Sequence, residues 1–170
     1  MAGSLPILES RRFLLRLCGE GDVDHLAALY ADPEVMRFYP GLRSREVAEE
    51  QVRKFAEHYE KTGYSMWAVE DKASGEFVGR VGLWPLDQTS EVELGYMIGR
   101  RRWGEGIATE TSAVCLEYGF SKLRLPFIAA ITVAGNAASR RVMEKLGFRY
   151  VRDDRYYGMD VLYHRVEPTL

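Results

Sequence analysis

Cysteine and histidine are scarce in this chain. Its 170 residues include only two cysteines, Cys18 and Cys115, far apart and in no Cys-x-x-Cys pattern. No disulfide framework is therefore expected, and the chain reads as reduced and cytoplasmic. The three histidines, His25, His58 and His164, lack metal-ligand spacing, so no metal site is expected. Long apolar runs are missing too. The longest, 127–133, falls far short of the roughly 20 residues that cross a bilayer. The N-terminus turns charged at Glu9, Arg11 and Arg12 before any apolar segment forms, unlike a signal peptide. Nor does one sign of charge dominate. Lys plus Arg number 23 against 25 Asp plus Glu, a formal net charge of −2. That argues against a DNA binder with a basic face, yet leaves room for a local pocket that takes a small phosphate.

What is present suits one globular domain spanning 1–170. Hydrophobic residues make up 46% and charged residues 28%, enough to fill a core and too apolar for a disordered chain. No repeat, low-complexity segment or linker divides it. Arg12 to Leu17 reads as a first strand, and Asp22 to Ala31 as a short helix with Val23, Leu26, Ala27 and Tyr30 at helical spacing. Ser44 can cap a helix to Lys61 that buries Ala48, Val52, Phe55 and Tyr59, with Gly63 stopping it. Strands over 64–70, 76–86 and 90–98 form an antiparallel meander, the first pair joined by a turn at Asp71–Gly75. Alternation places Val92, Leu94, Tyr96 and Ile98 on one face of the last strand, and Glu91, Glu93, Gly95 and Met97 on the other.

A helix to about Lys122 follows, with Ile107, Thr111, Val114, Cys115 and Tyr118 inward. The apolar strand 127–133 is expected to be covered on both faces. Asn136 opens a helix with Ala138, Val142, Met143 and Leu146 inward and Gly147 as its stop. Strands near 149–152 and 156–166 close the chain. The order predicts an α+β domain, with helices on both faces of a mixed, largely antiparallel sheet.

The sharpest motif lies between the third meander strand and the next helix: Arg101-Arg102-Trp103-Gly104-Glu105-Gly106-Ile107-Ala108. Its glycines permit close backbone approach and unusual angles. Unpaired amides at a helix start, aided by the helix dipole, suit a pyrophosphate. Arg100, Arg101 and Arg102 add charge that can pair with phosphate. A plain strand-to-helix turn beside solvated arginines is the bland alternative. The dinucleotide fingerprint fails at Thr109, where a third glycine is required, and the Walker Gly-Lys-Ser/Thr is absent.

With these motifs in order, the chain resembles the GNAT acetyltransferase superfamily. Arg101-x-x-Gly104-x-Gly106 matches its Arg/Gln-x-x-Gly-x-Gly/Ala pattern, after Glu93-Leu94-Gly95-Tyr96. Ile107–Glu110, Asn136-x-x-Ser139, Lys145–Phe148, Arg12–Arg16 and Ala31–Met36 are similar to the ribosomal-protein N-terminal acetyltransferase (RimJ/RimL) branch. The resemblance implies acetyl-CoA as co-substrate, and a splay between the fourth and fifth strands (90–98 and 127–133) where pantetheine lies. Main chain at Met97 and Ile98 would hold that arm. Amides from Arg102 through Trp103, Gly104, Glu105, Gly106 and Ile107 to Ala108 would bind the pyrophosphate, with Asn136 on the pantetheine. Many relatives use a tyrosine as general acid where this chain has Met143. Ser139 is the matching hydroxyl, for that role or for orienting the sulfur. The alternative is a helix serine bonded to a main-chain carbonyl.

The acceptor amine is mostly protonated at neutral pH, so a base is useful. Glu93 matches the family's glutamate base, and Glu91 shares its face; two solvated carboxylates are the bland alternative. In this family the loop between the first two helices forms the acceptor side, which makes Phe38 and Tyr39 the candidates there. The implied activity is N-acetyl transfer to a protein N-terminus or a small-molecule amine by direct attack in a ternary complex. A non-catalytic acyl-CoA-binding module is the alternative, to be told apart by a plugged acceptor side. A homodimer is common in the branch.

Overall fold

The computed structural model describes residues 8–169. The stretch 1–7, on which part of the signal-peptide reading rests, lies outside the described residues. The elements are β1 (Leu8–Glu9), β2 (Phe13–Leu17), α1 (Val23–Ala31), α2 (Arg45–Thr62), β3 (Met66–Asp71), β4 (Phe77–Pro85), β5 (Val92–Ile98), α3 (Ile107–Ser121), β6 (Ile128–Thr132), α4 (Ala137–Lys145), β7 (Arg149–Tyr156) and β8 (Met159–Val166). They form one eight-stranded sheet in the order β1-β2-β3-β4-β5-β6-β8-β7. Its pairs are antiparallel except β5 with β6. Among the described residues no helix is long and apolar enough to cross a membrane.

Both faces are covered, as the two-sided apolar pattern requires. Val92, Leu94 and Ile98 of β5 face a core that includes Ile107, Cys115 and Leu116 of α3 and Met143 of α4. Met97 joins Met66 and Ala68 in a second cluster with Leu26, Leu29 and Tyr30 of α1 and Ala48, Val52 and Phe55 of α2. The alternation expected for β5 is thus the division between two helical layers. Ser44 caps α2 by accepting from the Val47 amide, and Gly63, in the left-handed region at φ 80°, ends it.

The differences from the sequence reading are local. The two-residue β1 was not expected; it is too short to carry a pattern. The helix expected from Asp22 starts one residue later, because the Asp22 carboxylate instead accepts from Gly19 and Arg16. Ala138, expected inward on α4, is exposed on the cleft side. The last hairpin is longer and tighter than the pattern suggested. Tyr156 pairs with Met159, leaving a two-residue turn at Tyr157 (φ 52°) and Gly158 (φ 73°), both in the positive-φ region that such turns favour.

Candidate active site

β5 and β6 meet in register only at Glu93 and Ala129. Beyond that point they part, which is the expected splay. The gap belongs to a cleft of about 980 Å³ lined from both helical layers.

On one side lies the glycine loop. Gly104 (φ 81°) and Gly106 (φ 76°) are both left-handed, a conformation glycine adopts without steric cost. The amides of Gly104, Glu105, Gly106, Ile107, Ala108 and Thr109 make no hydrogen bond among the described residues; the first helical bond is Glu110 to the Gly106 carbonyl. The amides of Arg102 and Trp103, also expected to face a phosphate, are used instead in a 3-10 turn, bonding to Gly99 and Arg100. A side chain at Gly104 would meet nothing within 4 Å, and one at Gly106 only Arg12 Nη2 at 3.9 Å. The loop is therefore an uncovered cradle of donors that fits a pyrophosphate.

The arginines divide by partner. Arg102 donates to Asp71 (2.9 Å), Glu76 (2.8 Å) and Glu105 (2.6 Å), tying the loop to the β3–β4 turn. Arg101 is exposed, and neither it nor Glu105 lines the cleft. Trp103, 49% exposed, borders the cleft and donates from Nε1 to the Ile98 carbonyl at 2.8 Å. That carbonyl, expected to hold pantetheine, already has one partner. Met97 and Ile98 both line the cleft.

On α4, Asn136 caps the helix, its Oδ1 accepting from the Ser139 amide at 3.1 Å. Ser139 Oγ is not bonded to a main-chain carbonyl. It shares a 2.6 Å hydrogen bond with the Tyr96 hydroxyl, which also donates to the Ser139 carbonyl at 3.2 Å. Burial pushes the Tyr96 phenol up to about 12, against the opposing pull of Ser139. The sequence reading assigned Tyr96 no chemical role. Met143 is buried and touches the cleft.

Glu93 is 9% exposed and lines the cleft. Burial raises its pKa to about 7, against the hydrogen bond from Tyr157 and the nearby charge of Arg80. Tyr157 donates its phenol to Glu93 Oε1 at 2.5 Å. The Tyr157 amide donates to Asp87 Oδ2 at 2.7 Å, and the Asp87 amide returns a bond to the Tyr157 oxygen at 2.8 Å. Both residues hold positive φ, a cost of about 1 kcal/mol or more each that this reciprocal pair offsets. Glu91 shares the face yet stands apart from the cleft, gripped by Arg165 Nη2 (2.6 Å) and the Tyr163 hydroxyl.

On the far side, Phe38 and Tyr39 line the cleft with Arg43 and Arg80. Arg43 lies over the rings of Tyr30 (5.1 Å) and Tyr39 (5.7 Å). Sequence reasoning missed Arg80, Tyr96 and Tyr157. Alternation could have found Arg80, since it pairs with Met97 and so faces the same way. Gly158 marked the turn that carries Tyr157.

Comparison with known proteins agrees with this geometry. A family profile described as the acetyltransferase (GNAT) domain matches residues 12–149. The chain is 38% identical over 135 residues to YkkB of Bacillus subtilis, 78% of each chain. It is 34% identical over 148 residues to the N-acetyltransferase YoaA of the same organism, covering 85% of this chain and 83% of that one. The crystal structure of an acetyltransferase from Agrobacterium tumefaciens superposes with a TM-score of 0.86 at 21% identity, covering 99% and 98% of the two chains. Fold, glycine loop and family profile together place the chain in the GNAT acetyltransferase family.

Proposed function

We propose that this enzyme transfers the acetyl group of acetyl-CoA to a primary amine by direct attack, with both substrates held in the one cleft. The observation that carries this reading is that Gly104 and 106–109, with their uncovered amides, border the same cavity as the buried carboxylate of Glu93. When bound, acetyl-CoA supplies an activated acetyl thioester. The loop amides and the α3 dipole bind the anionic pyrophosphate. The Asn136 side-chain amide serves the cap through its oxygen, and its N–H donors, which make no hydrogen bond among the described residues, serve the pantetheine arm.

Glu93 takes the proton from the attacking amine. A carboxyl near 7 is mostly ionised at slightly alkaline pH and still basic enough to accept a proton, as a general base requires. The Tyr96–Ser139 hydroxyl pair, beside Met143, provides a proton or a hydrogen bond for the departing sulfur. Neither cysteine borders the cleft, and both are buried with their thiols pushed up, Cys18 to about 12. A covalent acetyl-cysteine is therefore not part of the path, because the thiolate is the nucleophile. The acceptor side is open rather than plugged, which favours turnover over a purely acyl-CoA-binding role.

Calorimetry with coenzyme A, followed by free-thiol release and product mass with a panel of amines, tests the proposal. Binding of coenzyme A and amine-dependent thiol release are expected. Failure to bind coenzyme A, or thiol release independent of amine, would overturn it.

A further inference from the structure

Arg80 is the most deeply buried charge in the cleft wall. It is 7% exposed, and among the described residues no carboxylate lies within ion-pair distance of it. Its Nη1 makes a 3.6 Å contact to the sulfur of Met66, the Tyr30 phenol lies beside the guanidinium, and Nε is buried with no partner. The groups around it are the phenols of Tyr30 and Tyr39 and the thiol of Cys18. The Tyr30 hydroxyl is also buried, and a neutral phenol beside a guanidinium does not balance its charge. A guanidinium stays charged in any protein, and burying one without a counter-ion is strongly unfavourable. Such a charge persists where a ligand supplies the missing partner.

Its place in the sheet says which ligand. By register Arg80 faces the same side as Met97, and Trp84 the same side as Glu93. Arg80 and Glu93 therefore line one sheet face, separated by four positions, or about 13 Å along the strand, and Arg80's charge is felt at Glu93. Arg43 lies on the rings of Tyr30 and Tyr39 and makes no ion pair among the described residues. The acceptor half of the cleft thus presents a base at one end and unneutralised guanidinium at the other. Glu34 and Arg37 also line this half, and a second ammonium placed at Arg80 would meet repulsion.

We infer that the acceptor is a small amine that also carries an acid group, with its nitrogen at Glu93 and its carboxylate on Arg80. The planar fork of arginine matches a carboxylate in two-point geometry. The inference rests on the acetyl-transfer reading and narrows its acceptor.

The test is a panel of amine pairs: free amino acids and their amides, an aminophosphonate, a short peptide with an acidic second residue, and spermidine. Thiol release and melting-temperature shift are both recorded in the presence of coenzyme A or acetyl-CoA. Acidic amines should exceed their neutral isosteres by about 10- to 100-fold in kcat/KM. The relative rates of amino acid, phosphonate and peptide tell which source of acid fits. Measured well above pH 7, where Glu93 stays ionised with or without the charge of Arg80, Arg80→Met should erase that preference through KM while coenzyme A affinity holds, and Arg80→Lys should restore part of it. Arg80→Met should also melt at a temperature equal to or higher than the parent, because it removes a buried unpaired charge. A structural arginine would behave oppositely in melting. If no acidic amine binds or reacts, or if spermidine and neutral amines serve equally well, the inference falls while the acetyl-transfer reading stands; absence of coenzyme A binding would instead remove that reading.

Discussion

Tyr157, at the tip of the last hairpin, donates its phenol to Glu93 on β5, across 64 positions of sequence. The bond opposes the effect of burial on the carboxylate, and Asp87 holds the tyrosine in its turn. Burial disfavours the charged form of this carboxyl, and the tyrosine works against that effect.

Replacing Glu93 with glutamine should lower turnover by about a hundredfold to ten-thousandfold, the usual range for loss of a general base. Coenzyme A affinity should hold, since the loop amides are elsewhere. The parent needs Glu93 ionised, so its kcat/KM should fall as pH drops through about 7. In Glu93→Gln that acid limb should vanish, and the deficit should shrink as pH approaches the amine's own pKa. A pH–rate profile of both proteins checks this. Glu91→Gln, which breaks the pair with Arg165, should leave the limb in place.

Tyr157→Phe removes a donor to the ionised form of Glu93. A hydrogen bond to the charged form favours it, so its loss raises the carboxyl's pKa further. The acid limb of kcat/KM should move to higher pH, with activity at high pH largely retained. An unmoved limb would mean that another group sets it.

For the hydroxyl pair, Tyr96→Phe and Ser139→Ala should each slow turnover by less than the ~10²–10⁴-fold of an obligatory proton donor. A thiol of pKa about 8.5 leaves without much help. The double variant should be no slower than the slower single one, since the two act through one bond. Single-turnover rates with saturating acetyl-CoA provide the measurement.

Gly106→Val should weaken coenzyme A binding more than it lowers the melting temperature. A Cβ at this position meets only Arg12 Nη2, at 3.9 Å. The cost to the fold is the left-handed φ of 76°, on the order of 1–3 kcal/mol for a branched residue. The cost to binding is the covering of the neighbouring amides. Calorimetry and thermal melting on the same protein separate the two.

The sequence made legible whatever depended on neighbours in the chain. The β5 alternation, the β3–β4 turn and the glycines opening α3 are local patterns, and each appears as expected. What remained hidden depends on distant partners. Arg102 looked like a phosphate ligand until Asp71 and Glu76, brought close by the β3–β4 hairpin, claimed it. Arg80 looks like an ordinary strand arginine, and only the covering by α1 and α2 makes it a buried charge. Tyr96 and Ser139 meet across 43 positions, and no periodicity reports such a meeting.

The single register pair between β5 and β6 has a mechanical meaning. Two arms joined at one point act as a pair of compasses, and whatever sits at the pivot moves least when the arms swing. Glu93 occupies that pivot. Any widening or narrowing of the mouth would displace the far ends of the strands more than this pair. Glu93, proposed above to take the proton, would then be displaced least. Entry of a bulky substrate and constancy of the reacting distance, which oppose each other in a rigid slot, are reconciled by the angle between two strands.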